Sequence, residues 1–157
     1  MTVDDLLARA RAGLRRLLPH EAMEASGRGA VLVDMRAESQ RERDGLIPDA
    51  VVIERNVLEW RCDRRSPWRE PRVCESDGPL ILVCDEGYQS SLAAATLQEL
   101  GRLDATDLVG GFQAWRAQGL PVDSPSRARS DRLTPAPAEP ARRTLSNVAR
   151  ESVPRRA

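Results

Sequence analysis

The chain has 157 residues and a mass of 17.4 kDa, enough for one ordinary domain with a sizeable core plus a tail, and too little for two large domains. Its 24 acidic residues are balanced by 24 basic ones, all of them Arg, so charge demands no polyanionic partner. The absence of Lys excludes a Walker A loop, a Schiff-base or cofactor-aldimine lysine, and a kinase of the β3-lysine type.

In chain order, Asp4 or Asp5 caps an expected helix over residues 4–18, with Leu6, Leu7, Ala10, Leu14, Leu17 and Leu18 at spacings of three and four and the arginines on the wet side. Pro19 ends it and opens a short second helix through Met23. The single His, His20, stands beside Pro19 in a polar stretch, so His-pair zinc proteases and multi-His centres are excluded and a Ser-His-Asp triad is poorly served. Apolar runs at 30–34, 51–53 and 80–83, and a shorter one at 106–109, predict strands covered on both faces. Helical stretches follow at 90–100, stopped by Gly101, and at 112–118 before Gly119. The expected fold class is α/β: three layers, with a mainly parallel central sheet flanked by helices, over residues 1–122.

From Asp123 to Ala157 the composition changes to Pro, Arg, Ser and Ala, the signature of a disordered tail. This tail carries a net charge of +4, leaving −4 on residues 1–122. No aromatic residue interleaves its arginines to stack on bases, so nucleic acid is not expected as a partner. The apolar strings are too short to cross a bilayer and the N-terminus is acidic, so neither a membrane nor a signal peptide is expected. Cys62, Cys74 and Cys84, odd in number and 12 and 10 residues apart, suit neither a disulfide framework nor a zinc knuckle, and a reduced, cytoplasmic setting is expected.

Ligands of open parallel sheets bind beyond the carboxyl ends of the strands. There the third strand runs into Cys84-Asp85-Glu86-Gly87-Tyr88-Gln89-Ser90-Ser91, a short loop before a helix. Its successive N–H groups can curl around an anion, with Gly87 permitting a positive φ and the helix dipole adding positive character, a cradle that favours a thiolate on Cys84. The bland alternative is a small apolar residue finishing a buried strand.

This loop resembles the active-site loop of rhodanese-like sulfurtransferases: a cysteine, two variable residues, Gly, one more variable residue, often Arg, then Ser or Thr leading into a helix. Leu32-Val33-Asp34-Met35-Arg36 followed by Gly45-Leu46-Ile47-Pro48-Asp49-Ala50 resembles the family's early strand and its turn into the second. Gly110-Gly111-Phe112-Gln113-Ala114-Trp115, then Gly119-Leu120-Pro121-Val122, resembles its C-terminal signature. The resemblance covers about residues 31–122 and implies a single-domain sulfurtransferase. Cys84 would attack a small sulfur donor, thiosulfate or a thiol persulfide, become a persulfide held by the N–H groups of Asp85, Glu86, Gly87, Tyr88, Gln89 and Ser90, and pass the sulfur to a thiol acceptor or cyanide. No metal or organic cofactor is implied, and a protein partner stays open as donor or acceptor.

The chain departs from the family pattern at several points. Gln89 stands where many members carry Arg, and Asp85 and Glu86 add negative charge that opposes thiosulfate if turned inward, or else faces solvent. Leu46 replaces the usual His before Ile-Pro, a structural change. Phosphatase and arsenate-reductase relatives of the fold carry Arg six residues after the cysteine, where this chain has Ser90, so the bidentate phosphate clamp is missing. Arg55 either faces the same mouth and restores a cation or lies on the surface. Asp34, with Arg36 and Glu38, is expected to fix a loop by ion pairs. Cys62 either resolves the persulfide as a disulfide or, like Cys74, is an ordinary loop cysteine. Trp60 and Trp68 either line the rim or anchor elsewhere, Trp115 belongs to the core, and Tyr88 is the aromatic expected to meet a substrate. The rival function is a non-catalytic module that binds a partner or senses oxidants through Cys84.

Overall fold

The computed structural model describes residues 1–125; most of the expected tail, 126–157, lies outside the described residues. Four parallel strands, β1 (Val31–Asp34), β2 (Val51–Val52), β3 (Leu80–Val83) and β4 (Ala105–Asp107), make one sheet in the order β2-β1-β3-β4. Val33 lies opposite both Val51 and Leu82, and Leu82 opposite Asp107. The side chains alternate between two cores, as a strand's period of two requires. Val33, Leu80 and Leu82 pack with Leu58, Ala93, Ala94 and Leu97 on one face, whereas Leu32, Ile81 and Val83 pack with Ala22, Phe112 and Trp115 on the other. Helices α4 (Leu58–Cys62), α5 (Pro71–Cys74) and α6 (Gln89–Glu99) cover the first face, and α2 (Pro19–Gly27) and α7 (Gly111–Ala117) the second. The expected three-layer, mainly parallel α/β fold is what is found. The edge strand departs from expectation, for Val52 is half-exposed and β2 is not covered on both faces.

The first helix is shorter than expected and differently capped. Helix α1 (Val3–Ala12) is capped by Thr2, whose Oγ1 accepts from the Asp5 N–H while Asp5 accepts from the Thr2 N–H. Gly13 stops it, so the expected helix over 4–18 is corrected: residues 14–18 are not helical, and Leu17 bridges to Leu108 just past β4. There the Leu17 N–H donates to the Asp107 carbonyl and the Val109 N–H to the Leu17 carbonyl, and Thr106 Oγ1 donates to the carbonyl of Arg15. A pairing with an edge strand thus outcompetes the leucine periodicity. Helix α2 begins at Pro19 as expected and runs past Met23. Helix α3 (Glu38–Asp44), without large apolar residues, left no periodic signal in the sequence.

The chain passes from β1 to the outer strand β2 and then crosses back to β3 on the other side of β1. That reversal opens a crevice beyond the carboxyl ends of β1 and β3. One wall is fixed by Asp34 and Arg36, both fully buried as side chains, joined through Nε to Oδ1 at 3.0 Å and Nη2 to Oδ2 at 2.7 Å. Arg36 also donates to the Gly45 carbonyl and stacks over Phe112, 3.6 Å from the ring centroid. The expected role for Asp34 and Arg36 is therefore observed, and Arg41 in α3 closes the turn by donating to the Arg36 carbonyl.

Removing one partner of a buried ion pair leaves the other charge uncompensated. Asp34→Ala is therefore expected to cost about 3–5 kcal/mol, read from equilibrium urea unfolding. Asp44, at the end of α3, joins that helix to α7 by accepting from Gln113 and Arg116 as well as from Arg43. The Arg43 hydrogen bond leads in holding the Asp44 carboxyl down to about 2, against the effect of burial. A depressed carboxyl contributes stability that is complete above about pH 4, the range of an unfolded Asp, and lost as the pH falls toward 2. Urea midpoints measured across that window should fall in wild type and fall less in Asp44→Asn.

Candidate active site

Cys84 follows β3, and the next six residues wrap its sulfur. The Gly87 N–H donates to Sγ at 3.1 Å and the Ser90 N–H at 3.4 Å, and the thiol lies 3.2 Å from Ser90 Oγ. Gly87 takes a φ of +81°, and a Cβ there would stand 2.7 Å from the Gly110 nitrogen and 3.0 Å from the Leu108 carbonyl oxygen, so only glycine fits the turn. The glycine pair Gly110-Gly111 serves the same loop from the other side. A Cβ on Gly111 would meet the carbonyl oxygens of Cys84 and Asp85 at 2.5 and 2.6 Å, and the Phe112 and Gln113 N–H groups donate to those carbonyls. The two acceptors are thereby turned away from the sulfur, and the Gly87 and Ser90 N–H groups are left facing it.

A cleft of about 770 Å³ opens above the sulfur. Arg36 and Met35 line it beyond β1, Glu54, Arg55 and Asn56 beyond β2, and Cys84, Asp85, Glu86, Tyr88 and Gln89 from the loop. The candidates named from sequence thus come together, with two qualifications: Gly87 and Ser90 lie beneath the lining, against the sulfur, and Arg55 reaches the cleft while paired with Glu59 at 2.7 Å. Asp85 is directed sideways, accepting from Gln113 Nε2 at 2.9 Å with Arg43 at 3.7 Å, and Glu86 is exposed on the rim. Tyr88 is exposed at the loop tip with the Arg11 guanidinium 5.5 Å from its ring centroid. Trp60 and Trp68, half-exposed, do not line the cleft, whereas Trp115 is buried in the core.

Cys62, the last residue of α4, is fully buried in the core, with no disulfide among the three cysteines. Burial pushes its thiol up to about 12, with Cys74 adding to the effect. Cys74 is likewise pushed up by burial, and its Sγ donates to the Arg61 carbonyl at 3.4 Å. Both are therefore core thiols, not loop cysteines.

Three residues behind the loop escaped the sequence reading. Asp107, fully buried at the end of β4, accepts at Oδ2 from Ser90 Oγ at 2.9 Å and from Ser91 Oγ at 2.8 Å. Arg16 grips the same carboxylate, Nε to Oδ1 at 2.8 Å and Nη2 to Oδ2 at 3.1 Å, and both Arg16 and Arg11 donate to the Gly87 carbonyl. An acid inside the apolar run 106–109 was the available signal for Asp107. The arginines looked like the wet side of a helix that in fact stops before Arg16.

The family model described as Rhodanese-like domain matches residues 18–118. The chain is 35% identical over 103 residues to the thiosulfate sulfurtransferase GlpE of Pseudomonas savastanoi, spanning 66% of this chain and 88% of that protein. It is 24% identical over 110 residues to the thiosulfate sulfurtransferase GlpE of Haemophilus influenzae, spanning 70% and 95%. A solved structure from Rhodopseudomonas palustris, described as a protein of unknown function and possible tyrosine phosphatase, matches with a TM-score of 0.72 at 32% identity, covering 78% of this chain and 95% of that one.

The environments of the three thiols differ enough to be told apart by alkylation. Iodoacetamide at about pH 8, near the ordinary thiol range, is expected to modify Cys84 in the folded protein and to spare Cys62, as read by peptide mass spectrometry. In urea all three should react.

Proposed function

The chain belongs to the rhodanese-like domain family and is a sulfurtransferase of the rhodanese type; we propose that it carries sulfane sulfur as a persulfide on Cys84, loaded from thiosulfate or a thiol persulfide and discharged to a thiophilic acceptor. The observation that carries this reading is the inward-facing set of N–H donors on the Cys84 sulfur, at the floor of an open cleft. The thiolate attacks the outer sulfur of thiosulfate, the sulfur–sulfur bond of the donor breaks, and sulfite leaves with its electron pair. A thiolate or cyanide then attacks the terminal sulfur of the persulfide and Cys84 departs as thiolate. Each half-reaction moves negative charge along the same line of sulfur atoms, and donors already oriented toward it stabilise that charge without reorganising.

The sideways Asp85 carboxylate removes one objection to an anionic donor, because its charge is shared with Gln113 and Arg43. Glu86 and Glu54 still line the cleft, and its volume exceeds the needs of a small inorganic anion. Both features favour a thiol persulfide as donor. Cys62 offers no resolving thiol in this reading, since a fully buried sulfur with its ionisation pushed to about 12 is a poor nucleophile. Three unpaired cysteines suit a reducing, cytoplasmic setting. Phosphoryl transfer is disfavoured by the same geometry: Ser90 stands where a phosphate-clamping arginine is needed, and Arg11 and Arg16 approach the loop through the Gly87 carbonyl.

Intact-mass measurement after incubation with excess thiosulfate, and separately with glutathione persulfide, tests the proposal. Wild type should gain one sulfur atom that cyanide removes, and Cys84→Ala should gain none. Failure of both donors to load Cys84 would support the non-catalytic binding or redox-sensing alternative.

A further inference from the structure

We infer that the segment over residues 3–17, which precedes the stretch matched by the family, is a clamp that strengthens the anion cradle from behind, with Arg11 and Arg16 as positioning residues for the Cys84 loop. The two guanidinium groups converge on one atom. Arg11 Nη2 donates to the Gly87 carbonyl oxygen at 2.8 Å and Arg16 Nη2 at 3.0 Å, and Arg11 Nε holds Ser91 Oγ at 3.1 Å. The peptide joining Gly87 to Tyr88 is trans, so its N–H points opposite to its carbonyl. With the carbonyl drawn toward the clamp, the Tyr88 N–H is turned to the cleft side of the loop, where the outer sulfur of a donor or a persulfide resides. Two charged donors on the carbonyl polarise that peptide and make its N–H a stronger donor.

The clamp therefore answers the missing arginine at Gln89 in a different way. It brings positive charge to the loop through a peptide group without occupying the cleft, which stays open to an acceptor. Its placement follows from independent contacts: α1 lies against α6, Leu17 bridges to Leu108 at the open edge of the sheet, and Thr106 fastens the Arg15 carbonyl. Arg16 has a second duty. Asp107 lies two hydrogen bonds from the sulfur, through Ser90 Oγ, and an unpaired carboxylate there would oppose a thiolate. The Arg16 fork compensates that charge while its Nη2 also reaches Gly87.

The catalytic consequence rests on Cys84 being the sulfur carrier, but the effect on the thiolate does not, so two readouts separate the two claims. The Cys84-specific alkylation rate with iodoacetamide is measured at pH 7 and at about pH 10, where an ordinary thiol is ionised, in wild type and Arg11→Gln. The substitution leaves in place the charged groups that line the cleft around the sulfur, Arg36, Glu54, Arg55, Asp85 and Glu86, and the Arg16–Asp107 pair behind the loop. The expected result is a loss of about tenfold at pH 7 and little change at the higher pH, with unaltered circular dichroism. Because Arg16→Gln alone strands the buried Asp107 carboxylate, the second variant is the double substitution Arg16→Gln with Asp107→Asn, expected to show the same pH-selective loss. In sulfur loading, both variants should lower the turnover number with the KM for the donor nearly constant. Equal alkylation of wild type and both folded variants at pH 7 overturns the clamp, as does a loss of the same size at both pH values. Wild type that alkylates as expected yet never loads sulfur overturns the sulfurtransferase mechanism and leaves the clamp standing.

Discussion

The two peptide groups that flank Gly87 face opposite ways, and the candidate site depends on that reversal. The Gly87 N–H points in to the Cys84 sulfur and the Gly87 carbonyl points out to two guanidinium groups, an arrangement reached at a φ of +81° in a space that excludes a Cβ. Gly111 completes the sorting by letting α7 take the Cys84 and Asp85 carbonyls. With acceptors turned out and donors turned in, a loop that contains Asp85 and Glu86 can still present a positive interior. The electrostatics of such a site are set by backbone direction more than by the formal charge of its side chains.

The arginine-only cation set takes on a structural meaning in this light. Arg36 joins Asp34 to the Gly45 carbonyl, Arg16 joins Asp107 to the Gly87 carbonyl, Arg102 joins Asp104 to the Val73 carbonyl, and Arg61 joins Glu70 to the Trp68 carbonyl. In each case one planar fork satisfies a carboxylate and an orphan backbone acceptor together, which a single ammonium on a flexible stem does less well. The recurrent carbonyls lie at turns and ends of elements, where regular structure leaves acceptors without partners. Arginine thus serves as mortar for a sheet of short strands.

Much of this was legible in the chain itself. The apolar runs at 30–34 and 80–83 read as covered strands, Gly87 marked a tight turn after the third of them, and Cys84 at that strand's end was the candidate for chemistry. Helix α1 misled because leucine spacing continues past Gly13, and spacing alone cannot see that an edge strand offers residues 14–18 a better use of their backbone groups. Trp60 and Trp68 were ambiguous for a related reason, since an aromatic in a short polar stretch says nothing about which way it faces.

The sequence by itself determined the fold class, the order of the main strands and the candidate nucleophile, because these follow from local patterns: hydrophobic period, turn residues, and a cysteine followed by a tight glycine loop. Tertiary structure alone decided what surrounds the sulfur. Arg11 and Arg16 meet Gly87 across 76 and 71 residues of chain, and Asp107 meets Ser90 across 17. Contacts of that separation depend on which strand lies beside which and on where a helix stops. No window of neighbouring residues carries that information, so the residues that hold the loop were found only once the sheet had brought them together.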